Sequence, residues 1–141
     1  MKILRHAFFL DRDGVINRPI LRSGKPFAPI SLDDIEILSG VHEALSLLRE
    51  AGYLNIVVTN QPDISTGIQS LKSLSEIHHF MQQKLPIDDV LVCPHVDEDM
   101  CKCRKPQPGL LVRAAQKWNV DLASSFMVGD RWPSPAPVEL A

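Results

Sequence analysis

Four short apolar runs alternate with three stretches of helical periodicity, and this alternation restricts the chain to very few folds. The runs are Phe8-Phe9-Leu10, Leu54-Asn55-Ile56-Val57-Val58, Asp89-Val90-Leu91-Val92 and Ser125-Phe126-Met127-Val128, rich in β-branched and aromatic residues. Between them Val41, Ala44, Leu45, Leu48 and Ala51 recur at helical spacing, as do Leu71, Leu74, Ile77, Met81 and Leu85, and then Leu110, Leu111, Ala114, Ala115 and Trp118. The order β-α-β-α-β-α-β calls for a parallel sheet with right-handed helical crossovers, because parallel neighbours cannot be joined by a tight turn.

Local signals set the boundaries. The first helix runs over Gly40 to Ala51, with Gly52 placed for a left-handed C-cap. Ser73 and Glu76 stand in capping-box spacing in the second, which Pro86 ends; Pro108-Gly109 begins the third. Asn17 to Ser31 holds Pro19, Gly24, Pro26 and Pro29, so it reads as a loop without a regular element. Its cations Arg18, Arg22 and Lys25 either meet an anionic substrate or belong to a solvated surface.

With 141 residues, 45% of them hydrophobic and 23% charged, the chain is long enough for one domain with its own core. A net charge of -2 provides no basic field for nucleic acid and no polybasic membrane patch. The N-terminus lacks a leader-like apolar stretch, and no run approaches the roughly 20 apolar residues of a membrane span. The expectation is a cytoplasmic monomer acting on a small molecule, with neither nucleic acid nor membrane as partner.

Polar residues gather where the apolar runs end, and in open parallel sheets chemistry collects at the carboxyl ends of strands. The first run ends in Asp11-Arg12-Asp13-Gly14, the second in Thr59-Asn60-Gln61, the fourth in Gly129-Asp130-Arg131, and Lys105 opens a helical segment. This set meets the needs of phosphoryl transfer. Carboxylates bind a divalent cation and supply a nucleophile, a lysine offsets phosphate charge, and hydroxyl or amide donors take the free oxygens. Taken singly, Asp11 to Gly14 reads equally well as a solvated turn.

These four segments, in this order, resemble the motifs of the haloacid dehalogenase superfamily of phosphatases. The resemblance implies a three-layer, Rossmann-like α/β fold around a parallel sheet. It implies that Asp11 is the nucleophile that forms an aspartyl phosphate, and that Asp13 protonates the leaving alcohol and then activates water. Thr59, Asn60 and the backbone there would hold phosphoryl oxygens, Lys105 would offset charge, and Asp11, Asp130 and the Asp13 carbonyl would bind Mg2+.

Cys93, His95, Cys101 and Cys103 provide three thiolates and an imidazole, enough to close a tetrahedral zinc site. Such sulfur-rich sites are structural, so the expected role of Zn2+ is to staple the loop that leads into Arg104-Lys105-Pro106; buried reduced cysteines are the alternative. Cys-x-His followed by Cys-x-Cys-Arg-Lys-Pro is similar to the signature of one branch of the superfamily. That branch holds the D-glycero-D-manno-heptose bisphosphate phosphatases and the phosphatase domain of histidinol-phosphate phosphatases, which have little or no cap domain. The segments after the first two motifs here are likewise too short for a separate cap. The resemblance assigns Arg104 to the far end of the substrate. His6, His42, His78 and His79 lack such company and receive no role.

Two segments depart from the family pattern. Pro62-Asp63-Ile64-Ser65-Thr66-Gly67 stands where the family has Ser-Gly-Ile-Ala-Arg-Gly, which alters backbone freedom and charge beside the phosphate. Trp132-Pro133-Ser134-Pro135 replaces the family's second metal-motif acid with Ser134, and its prolines cannot start a helix. The expectation is a phosphatase domain over 1–132, including a zinc loop over 93–103, then a Pro-rich irregular tail over 133–141, with the C-terminal edge strand missing. The function expected is magnesium-dependent hydrolysis of a heptose bisphosphate-type sugar phosphate. The alternatives are histidinol phosphate or another monoester as substrate, or a truncated non-catalytic relative that binds metal or phosphate.

Overall fold

The computed structural model describes residues 4–61, 63–93, 109–129 and 136–137. In chain order the elements are β1 (His6–Leu10), β2 (Ile20–Arg22), β3 (Lys25–Phe27), α1 (Val41–Glu50), β4 (Tyr53–Asn60), α2 (Leu71–Lys84), β5 (Asp89–Cys93), α3 (Gly109–Trp118), β6 (Phe126–Val128) and β7 (Ala136–Pro137). Five strands form one sheet in the order β5-β4-β1-β6-β7. β1 lies parallel between β4 and β6, with Leu10 opposite both Val57 and Val128, and β5 continues the parallel ladder beyond β4.

Side chains alternate across the sheet with the two-residue period of extended chain. Ala7 and Phe9 of β1, with Leu54, Ile56 and Val58 of β4, pack with Leu110, Leu111 and Ala114 of α3. Leu10 and Val57 turn to the other face, where Leu45 of α1 and Ile77 and Met81 of α2 cover them. A sheet covered on both faces explains why β4 is buried almost throughout, with Ile56, Val57 and Val58 in succession, rather than alternating between buried and exposed residues. One polar residue in it, Asn55, is buried, and its Nδ2 donates to the carbonyl oxygens of Leu45 and Pro86, each at 2.9 Å, tying α1 and the end of α2 to the central sheet.

The structure corrects the sequence reading in three places. Asn17 to Ser31 is not free of regular structure, because β2 and β3 form an antiparallel hairpin within it. Its two-residue turn, Ser23-Gly24, has φ of 51° and 77°, the left-handed pair that a tight hairpin demands, and Pro26 is tolerated because a two-stranded ribbon has free edges. The N-cap of α2 is Ser70, whose side chain accepts from Ser73 N at 3.0 Å, so Ser73 lies inside the helix rather than capping it. The sheet edge expected to lie open beside β6 is lined by β7, which pairs antiparallel through Ala136 and Pro137 with Met127 and Phe126.

The hairpin segment stays close to the main body. Ile30 O accepts from Gln69 Nε2 at 3.0 Å and from Ser73 Oγ at 2.7 Å, while Arg18 pairs with Glu36 and Arg22 lies over the Phe27 ring at 5.5 Å. Of the three loop cations, Arg22 thus has a partner within the segment and Arg18 has one just beyond it. Among the described residues no helix is long and apolar enough to cross a membrane.

Candidate active site

The site is built where β1, β4 and β6 end together. Asp11 follows the last residue of β1, and its N–H donates to Val128 O at 2.9 Å, which holds it beside Gly129 at the end of β6. Its side chain is largely buried. On the other side, Thr59 and Asn60 close β4, and Gln61 N donates to Cys93 O at 2.8 Å, extending the ladder one residue toward β5. The central strand therefore delivers Asp11 between the ends of its two neighbours.

After Asp11 the chain must turn sharply. The Arg12 carbonyl accepts from the N–H groups of Val15, Ile16 and Asn17, Gly14 takes a φ of 90°, and Gly14 N donates back to Asn17 O at 2.8 Å. The glycine is required by that left-handed conformation. Ile16 enters the core on the α1 and α2 side, which anchors the far end of the turn.

This turn lifts the Asp13 carboxylate into a set of donors. Oδ1 accepts from Arg12 Nε at 3.0 Å, Arg12 Nη2 at 2.9 Å and Asn17 Nδ2 at 3.0 Å, and Oδ2 accepts from Gln61 Nε2 at 2.9 Å. The same Gln61 amide donates to Thr59 Oγ1 at 2.8 Å, so the Asp13 carboxylate and the Thr59 hydroxyl lie side by side. Gln61 and Asn17 are fully buried, and the side-chain oxygen of each has no hydrogen-bond partner among the described residues.

Arg12 is fully buried too. Its third nitrogen, Nη1, lies 3.1 Å from His78 Nε2 on α2. Burial, followed by the adjacent guanidinium, lowers the His78 pKa from 6.5 to about 4, with Asp13 acting weakly in the opposite direction. His78 is consequently neutral at physiological pH.

Of the residues singled out from the sequence, Asp11, Asp13, Thr59 and Asn60 converge at the strand ends. Cys93 is fully buried at the end of β5. Arg104, Lys105 and Asp130, and the zinc candidates His95, Cys101 and Cys103, lie outside the described residues. Among the described residues no three His, Cys, Asp or Glu side chains gather as a metal site. The Asp11 carboxylate and the Asp13 carbonyl are hard oxygen donors of the kind magnesium takes.

Sequence reasoning missed Arg12, Asn17, Gln61 and His78. Arg12 and Asn17 sit in the segment around the acids and Gln61 follows the second apolar run, with nothing in residue type to single them out, whereas His78 carried a usable signal. It falls on the buried stripe of α2 with Leu74, Ile77 and Met81, and a histidine at a core position needs a partner.

Comparison with known proteins adds an independent line. A family model described as polynucleotide kinase 3 phosphatase matches residues 7–134. The D-glycero-beta-D-manno-heptose-1,7-bisphosphate 7-phosphatase of Helicobacter pylori strain ATCC 700392 / 26695 is 34% identical over 131 residues, covering 89% of this chain and 72% of that protein. The protein of the same name from Photorhabdus laumondii is 35% identical over 137 residues, covering 89% and 70%. Among solved structures, the D,D-heptose 1,7-bisphosphate phosphatase of B. bronchiseptica, complexed with magnesium and phosphate, superposes with a TM-score of 0.75 at 32% identity, covering 89% of this chain and 70% of that one.

Proposed function

The chain belongs to the polynucleotide kinase 3 phosphatase family, within the haloacid dehalogenase superfamily, and from that premise we propose that it is a magnesium-dependent phosphatase of heptose bisphosphate-type sugar phosphates. The observation that carries this reading is the Gln61 bridge between Asp13 and Thr59. It sets a proton-transferring group next to a hydroxyl suited to a phosphoryl oxygen, one strand away from Asp11. The substrate class rests on the names of the relatives, which are heptose bisphosphate phosphatases at about one third identity.

In this reading Asp11 attacks phosphorus, and a bond from its carboxylate oxygen to phosphorus forms as the ester P–O bond breaks. Asp13 gives a proton to the departing alcohol oxygen. Asp13 then takes a proton from the water that attacks the aspartyl phosphate, releasing inorganic phosphate and restoring Asp11. The Thr59 hydroxyl and the Asn60 backbone hold phosphoryl oxygens, Lys105 offsets their charge, and Arg104 contacts the distal end of the sugar. Asp11, the Asp13 carbonyl and Asp130 would hold magnesium, whose charge offsets that of the phosphoryl oxygens. Cys93, His95, Cys101 and Cys103 would hold a structural zinc, and their thiolate and imidazole donors suit that metal.

The test is phosphate release with magnesium over a panel of heptose 1,7-bisphosphate, other sugar phosphates, histidinol phosphate and a 3′-phosphorylated oligonucleotide, with Asp11→Asn as control. Fastest turnover of the heptose bisphosphate, lost in the variant, is expected. Turnover that survives Asp11→Asn, or none on any substrate from the folded wild type, would overturn the reading. Preference for histidinol phosphate or the oligonucleotide would replace the substrate class.

A further inference from the structure

An arginine with no exposed surface needs a partner for each end of its fork, because a buried N–H without an acceptor is costly. In Arg12 one edge of the guanidinium is committed to Asp13 Oδ1 through Nε and Nη2, and the other end, Nη1, meets His78 Nε2 at 3.1 Å. Arginine has donors only, so His78 Nε2 must be the acceptor and the ring proton must sit on Nδ1. The contact joins residues 66 positions apart and connects the turn after β1 to the middle of α2. α2 is itself fixed to the sheet through Ile77 and Met81, which flank His78 on the buried stripe.

We propose that His78 is a positioning residue for Asp13, acting through the Arg12 guanidinium. The guanidinium is planar and rigid, so fixing Nη1 on α2 fixes the edge that meets the carboxylate. Without the imidazole acceptor, Nη1 would be left unpaired in the interior, and the fork would turn or admit water, loosening its hold on Oδ1. Asn17 and Gln61 would still reach Asp13, so the carboxyl group would stay in the site with a wider range of orientations. The inference rests on the reading of Asp13 as the proton donor to the leaving oxygen.

That role makes a specific readout available. A sugar alcohol is a poor leaving group and needs its proton during bond cleavage, whereas para-nitrophenolate leaves without one. His78→Leu should lower kcat/KM for heptose 1,7-bisphosphate by about 10-fold or more while changing it much less for para-nitrophenyl phosphate, since small displacements of an acid group are costly only where its proton is used. His78→Gln, whose Oε1 can replace Nε2 as acceptor, should recover most of the loss. Equal losses on both substrates, or no loss, would overturn the inference. If His78→Leu fails to fold, His78→Gln and His78→Asn decide: selective impairment of Asn alone supports the proposal, and identical behaviour overturns it. Asp13→Asn run alongside separates the two claims. Full turnover by Asp13→Asn would overturn the phosphatase mechanism and this inference with it, whereas an inactive Asp13→Asn with an unselective His78→Leu would overturn this inference alone.

Discussion

Gln61 Nε2 stands 2.9 Å from Asp13 Oδ2 while also donating to Thr59, so a single amide fixes the distance between the proposed proton donor and the hydroxyl proposed to hold a phosphoryl oxygen. Gln61→Ala should therefore impair both, lowering kcat/KM for the preferred sugar phosphate by about 10- to 100-fold, the range that loss of positioning commonly costs. Gln61→Glu should be worse than Ala, because it places a second carboxylate against Asp13. Steady-state kinetics of the two variants check this, and an order Glu above Ala would contradict it.

Removing magnesium should abolish turnover without unfolding the protein. The core of the domain is apolar on both faces of the sheet and does not include the proposed magnesium ligands. Dialysis against metal-free buffer without a chelator, which removes loosely held magnesium and leaves a thiolate-bound zinc in place, should leave the circular dichroism unchanged, with activity returning on addition of magnesium. Calcium, which accepts looser and larger coordination, should restore much less.

The buried His78 makes stability depend on pH with a predictable sign. Its folded-state pKa of about 4 lies below the unfolded value of 6.5, so between these values the unfolded chain binds more protons. Stability contributed by the neutral ring is fully present above 6.5 and is lost as pH falls toward 4, amounting to about 3 kcal/mol at most. Urea denaturation of wild type and His78→Gln at intervals from pH 7 to pH 4 should show the wild type falling more steeply. Comparing the two removes the contribution of carboxylates that titrate in the same window.

Phe9 ties stability to the site. It is fully buried in the α3-facing core, two residues before Asp11. Phe9→Ala should destabilise the protein by about 3–5 kcal/mol, the usual cost of such a cavity. Chemical denaturation measures the loss. Where the variant remains folded at low temperature, its KM should stay near that of the wild type, because the backbone bond from Asp11 to Val128 is retained.

The strands were legible in the sequence because burial on both faces leaves nearly continuous apolar runs, as in Leu54 to Val58, and the helices because their stripes repeat cleanly. Asp11, Asp13 and Thr59 were legible from their place at strand ends. The β2–β3 hairpin was not, since its prolines and short exposed strands hide the Ser23-Gly24 turn that defines it. Nor were the groups that hold Asp13. Nothing in residue type singles out Arg12, Asn17 or Gln61, and only the three-dimensional path of the chain shows that all three aim at one carboxylate. His78 has no marked partner near it in the chain, because Arg12 is brought to it only by packing.

The central place of β1 also bears on how the molecule comes apart. Fraying of a sheet proceeds from its outer strands, and amides deep within exchange with solvent only when the whole unit opens. β1 has β4 and β5 on one side and β6 and β7 on the other, so the strand that carries Asp11 is shielded from both margins. Deuterium should therefore enter the amides of Phe8 to Leu10 last, at the rate of global opening, and partial loosening at the rim should leave the setting of Asp11 unaltered.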